Sequence, residues 1–125
     1  MTQGNAINQD RIVSKIIGDE AILLDVHTGY CYSFNESATA IWKALNRNLS
    51  VEKIAKGLAE AYQVPETTAQ KDLDRFLKSL MKENILKSLP KEKSHDFEIK
   101  HKQKKEYAAP KFIKYHEIKR GRSVA

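Results

Sequence analysis

One cysteine, Cys31, among 125 residues rules out an internal disulfide and fits a reducing, cytoplasmic setting. No apolar run approaches the roughly 20 residues that a membrane-spanning helix needs. The polar stretch 1–10 lacks the apolar segment of a signal peptide, so a cytoplasmic protein is expected. Glycine is scarce, with five in the chain and none arranged as a phosphate-cradling loop. The four histidines, His27, His95, His101 and His116, are dispersed and share no metal-ligand spacing with the cysteine. Cys31 has no His or Asp placed predictably beside it and reads as a small buried hydrophobe. Neither an enzyme nor a bound metal or cofactor is expected.

Charge is unevenly spread. The formal net charge is +6, yet residues 1–90 carry eleven basic and eleven acidic side chains. Residues 91–125 carry eleven basic and five acidic ones, so the whole excess lies in the C-terminal part. At 41% hydrophobic and 30% charged residues, the chain reads as one small globular domain with an appendage. The domain spans 1–90. A charge-dense linker follows over 91–106, with Phe97 and Ile99 its large apolar residues, and a basic tail spans 107–125.

Within the domain, β-branched residues predict a first strand over 11–17, and Gly18-Asp19 a turn into a second over 20–25. A turn closing at Gly29 leads to a third strand over 30–34, where Tyr30, Tyr32 and Phe34 alternate with Cys31 and Ser33. Asn35 or Ser37 can cap the helix predicted over 35–45, whose apolar stripe is Ala38, Ile41, Trp42 and Leu45. Ser50 can cap a second helix over 51–62, with Ile54, Ala55, Leu58 and Ala61 as its stripe. Pro65 opens a third, running to about Lys82, with Leu73, Phe76, Leu77 and Leu80 on one face. Asn84 can end it, and a last short strand is expected over 85–89. The expected class is α+β: a winged-helix-like domain with a three-stranded antiparallel sheet and three helices, plus an extended tail.

The stretch LLDVHTGYCYSFNESATAIW, followed by LSVEKIAKGLAEAYQVPETTAQKDLDRFLKSLMKENIL, resembles the PqqD-type peptide-recognition domain over roughly residues 12–88. The strand–turn–strand, the Asn-Glu-Ser-Ala-Thr helix start and the two later helices fall in the family's order. The resemblance implies a non-catalytic peptide chaperone that binds the leader of a precursor peptide and presents it to a modifying enzyme. It implies that the leader pairs with the third strand, at Tyr30, Cys31, Tyr32, Ser33 and Phe34. The third helix then contributes Asp72, Arg75, Phe76 and Ser79. This is a physically sensible use of a sheet edge, whose free N–H and C=O groups can accept an added strand. The aromatic stripe of the strand and the Leu stripe of the helix are equally what a core would use, and Asp72, Asp74 and Arg75 are equally a solvated face.

The tail contains Tyr107, Pro110 and Phe112 as Tyr-x-x-Pro-x-Phe, similar to the Tyr-x-x-Pro-x-Leu motif of lasso-peptide leaders. Phe112 stands where that motif has Leu, and His116 where a Gly is expected. Pro110 favours an extended chain, and Tyr107 and Phe112 supply two anchors. The tail is a candidate ligand for its own groove, or for a neighbour's in a tail-swapped homodimer, and its removal is then expected to open the groove to added leader; it reads equally as a basic tail touching RNA, an acidic partner or a membrane surface, or as a simple extension. The implied enzyme partners are a leader peptidase and cyclase or, alternatively, a radical enzyme; no membrane partner is implied. The rival reading is winged-helix nucleic-acid binding. It is disfavoured because Glu66, Asp72 and Asp74 offset Lys71, Arg75, Lys78 and Lys82 on the third helix.

Overall fold

The computed structural model describes residues 6–89 and 106–116. Their element order is β1 (Ile12–Ile17), β2 (Glu20–Asp25), β3 (Tyr30–Phe34), α1 (Glu36–Asn46), α2 (Val51–Tyr62), α3 (Glu66–Lys82) and β4 (Phe112–His116). The class is α+β, as expected. The sheet is antiparallel with order β1-β2-β3-β4, one strand more than the sequence predicts. The added strand is in the tail.

Local chemistry accounts for the first three strands. Gly18 (φ 61) and Gly29 (φ 83) occupy the left-handed region that tight turns between strands require. The second turn is held by the buried Asp25 carboxylate, which accepts from Arg11 Nη2 at 2.7 Å, from the His27 N–H at 2.9 Å and from the Thr28 N–H at 3.3 Å. Alternation then sends Ala21 and Leu23 of β2, and Tyr32 and Phe34 of β3, toward the helices.

The helices begin where capping chemistry places them. The Asn35 side chain accepts from the Ala38 N–H, so Asn35 rather than Ser37 is the cap of α1. Ser50 caps α2 by accepting from the Lys53 N–H. Pro65 stands at the start of α3 without a side-chain cap bond, and Asn84 (φ 64) turns the chain just beyond its end. Trp42, Ile41, Leu45, Ile54, Leu58, Leu73, Leu77 and Leu80 are fully buried beneath the sheet. The Leu stripe of α3 is thus core; in α2, Tyr62 is buried and Ala61 only partly so.

The strand predicted over 85–89 is instead a single antiparallel bridge between Ile7 and Leu86, flanked by Asn8 N–H to Ile85 O and Lys87 N–H to Ala6 O, both 2.9 Å. The N-terminal segment pins the exit of α3 without extending the sheet. Phe97, Ile99 and all of the predicted linker but Glu106 lie outside the described residues, as do His95, His101 and the tail beyond His116.

Candidate functional site

Sequence reasoning treats β3 as a free edge. Here it is an interior strand, because β4 pairs along its whole length: Tyr30 opposite His116, Cys31 opposite Tyr115, Tyr32 opposite Lys114, Ser33 opposite Ile113 and Phe34 opposite Phe112. The strand and α3 form the two walls of a groove, and residues 106–116 run through it.

Phe112 enters where Tyr32, Phe34 and Phe76 meet, with ring centroids at 5.4, 6.0 and 6.2 Å. Phe34 and Phe76 are themselves in edge contact at 5.4 Å. The inward row of β3 and the inner face of α3 therefore serve as core and as anchor pocket together. Upstream, Pro110 lies over a cleft of ≈ 250 Å³ lined by Asp72, Arg75, Phe76 and Ser79. Tyr107 donates its hydroxyl to Asp72 at 2.8 Å and sets its ring against Tyr62, centroids 5.2 Å apart. Burial, reinforced by the Asp72 carboxylate, raises the Tyr107 pKa; burial pushes Tyr62 up to about 12. Both phenols stay protonated at neutral pH.

Of the nine groove residues predicted from sequence, Tyr32, Phe34, Asp72 and Phe76 make side-chain contact with the tail's anchors, and Arg75 and Ser79 line the cleft under Pro110. Arg75 is exposed and ion-pairs with Asp72 at 3.9 Å; the Ser79 hydroxyl donates back to Arg75 O. Cys31 and Ser33 alternate to the opposite face of the sheet and meet the tail through strand pairing. The Ser33 hydroxyl is engaged by Glu20. Asp74 pairs with Lys78 along the exposed face of α3 and takes no part.

Several groove residues are invisible to sequence reasoning. Asn35 is predicted as a cap but also clamps the tail: Nδ2 donates to Ala109 O at 2.8 Å, Oδ1 accepts from the Lys111 N–H at 3.1 Å, and its own N–H donates to Lys111 O at 3.1 Å. Ser37 donates to Ala108 O at 2.6 Å. Glu83 receives the Lys114 ammonium at 2.8 Å and the Tyr32 hydroxyl at 3.0 Å. His116 Nε2 lies 3.1 Å from Thr28 O. The only local signal for Asn35 was its capping role. Asn35→Ala is expected to cost about 1 kcal/mol in a urea titration through the lost cap. It should also speed amide exchange over 108–116, which a cap alone would not do.

The groove lies largely within a region of defined ancestry. The family model for PqqD, coenzyme PQQ synthesis protein D, matches residues 20–86. The chain belongs to the PqqD family. The matched region of this PqqD-family chain holds β2, β3 and all three helices, and leaves out β1 and β4. No curated protein matches the chain. Among solved structures, it is similar to TbiB1 in complex with the TbiA(beta) leader peptide, at 29% identity and a TM-score of 0.64. The match covers 68% of this chain and 98% of that one.

Proposed function

We propose that the groove between β3 and α3 captures the leader segment of a ribosomally made precursor peptide by strand addition and presents it to a separate modifying enzyme. The observation that carries this reading is the pairing of β4 along β3, with Phe112 seated against Phe34 and Phe76. An extended segment with anchors at alternate positions is the form that β-augmentation takes. The likeness to TbiB1, a protein solved with a leader peptide, supports the same reading. The domain, residues 1–90, performs no chemistry of its own; the modifying enzyme does. Residues 91–106 tether the tail, and residues 107–116 are a leader-like occupant that competes for the groove. The Tyr-x-x-Pro-x-Phe pattern favours a lasso-peptide pathway, with a leader peptidase and cyclase as partners, over one that uses a radical enzyme. A cytoplasmic site of action fits the lone buried thiol of Cys31.

The test uses the full chain with Tyr107→Ala and Phe112→Ala in the tail, titrated with a labelled peptide of sequence 105–118. Saturable binding, weakened when the peptide itself carries Tyr107→Ala or Phe112→Ala, is the expected result. No saturable binding at high micromolar peptide overturns the reading.

A further inference from the structure

Lys114 sits in an environment assembled from three elements, each of which favours a positive charge. Its ammonium is 2.8 Å from Glu83 Oε1 and 4.2 Å above the centre of the Tyr30 ring. Glu83 is the C-terminal cap residue of α3, at the negative end of the helix dipole. An acid at that end of a helix is unfavourable by itself, and a cation beside it offsets that cost. The face of an aromatic ring adds a further attraction to ammonium or guanidinium.

Glu83 is also held in place. The Tyr32 hydroxyl donates to the same Oε1 that receives Lys114, at 3.0 Å, and Tyr32 is 1% exposed, so its ring cannot swing away. The Lys114 hydrogen bond, opposed by burial and aided by the Tyr32 hydroxyl, keeps the Glu83 carboxyl below its ordinary pKa. The contrast within the molecule is Lys78–Asp74, a 3.2 Å pair whose side chains are 76% and 61% exposed, against 36% and 23% for Lys114 and Glu83. Exposed pairs of the first kind contribute little, because solvent screens them and both side chains lose freedom.

We infer that Glu83, Tyr30 and the C-terminal end of α3 form a cation-reading subsite, which selects peptides with a lysine or arginine two residues beyond the aromatic anchor. The inference rests on the peptide-groove reading above. Specificity here comes from charge as well as from the anchors: an acid at that position would face Glu83, and a neutral residue would leave Glu83 at the helix end without its counter-ion. Tyr32 is a positioning residue, acting through Glu83.

Two measurements test it separately from that reading. The first is a cycle in the intact chain with Glu83→Gln, Lys114→Met and the pair together, read by amide exchange over 30–34 and 112–116. Each single change is expected to speed exchange about 5-fold, and the double change to be no faster than the faster single. A double equal to the product of the singles means no coupling and overturns the subsite. A parallel cycle on Asp74 and Lys78 is expected to show no coupling.

The second uses the chain with Tyr107→Ala and Phe112→Ala, and peptides of sequence 105–118 with Lys, Met or Glu at position 114. The Lys peptide is expected to bind about 10-fold tighter than the Glu peptide, less so at high salt. The order should invert on Glu83→Lys, and Tyr32→Phe should narrow the preference. A preference indifferent to Glu83→Gln and Glu83→Lys overturns the inference. Coupling in the intact chain with no binding of any peptide would instead overturn the peptide-groove reading and leave the clamp on β4 standing.

Discussion

Releasing the tail from the groove is expected to tighten binding of an added peptide by about 10–100-fold. The comparison is between the intact chain and the chain with Tyr107→Ala and Phe112→Ala, titrated with the same labelled 105–118 peptide. The reasoning is mass action. A ligand carried on the same chain as its groove competes at an effective concentration in the millimolar range, so an added peptide of the same intrinsic affinity meets a groove already filled. An intrinsic Kd of about 10 μM would give a penalty of about 100-fold, and one of about 100 μM a penalty near 10-fold. The two anchors are chosen because Phe112 meets three aromatic rings and Tyr107 makes the Asp72 hydrogen bond, the contacts that hold the tail against β3 and α3. Equal affinities in the two chains would mean that the tail does not hold the groove in solution.

Asp25→Ala is expected to lower the unfolding free energy by about 3 kcal/mol, a large share of the roughly 5–15 kcal/mol of a small domain. The Asp25 side chain is 1% exposed and joins Arg11, the His27 N–H and the Thr28 N–H at the turn between β2 and β3. Its removal leaves the Arg11 guanidinium without its counter-ion and two turn amides without an acceptor, which is where the cost of breaking such a cluster arises. Asp25→Asn, which keeps an acceptor oxygen for the turn, should cost less. Because Thr28 also offers its carbonyl to His116, the looser turn should weaken the docking of β4 too.

The same cluster sets a pH dependence. Burial raises the Asp25 pKa, but the hydrogen bond from Arg11 and those from the His27 and Thr28 amides outweigh it, and the folded value lies below the ordinary one. The unfolded chain therefore takes up the proton first. The stabilisation is complete at about pH 5 and higher, above the ordinary aspartate pKa, and is lost as pH falls through the lower folded value. Urea midpoints measured downward from pH 6 should fall more steeply for the native chain than for Asp25→Asn; parallel curves would show that Asp25 is not the group responsible.

How much of this was legible beforehand varies with how local the cause is. Tight turns at Gly18 and Gly29, the period-two row of Tyr30, Tyr32 and Phe34, and caps at Asn35 and Ser50 are written in neighbouring residues, and the strands and helices they specify are present. The short strand over 85–89 fails because its partner is the N-terminal segment 6–8, which supplies one bridge and then turns away. Glu83 and Ser37 left no trace as groove residues: an acid at a helix end and a serine in a first turn are ordinary in their own surroundings.

The sequence by itself determined β1–β3 and α1–α3, their order, the family and the two anchors of the tail, because hydrophobic period, capping and turn chemistry act within a few residues. Only the tertiary structure decided that β3 is covered, that the tail covers it, and that Phe76 belongs to core and groove at once. It also decided that Lys114 meets Glu83 and Tyr30. Those outcomes depend on contacts between residues dozens of positions apart, whose register is set by the packing of the whole sheet against α3, and no local preference encodes them.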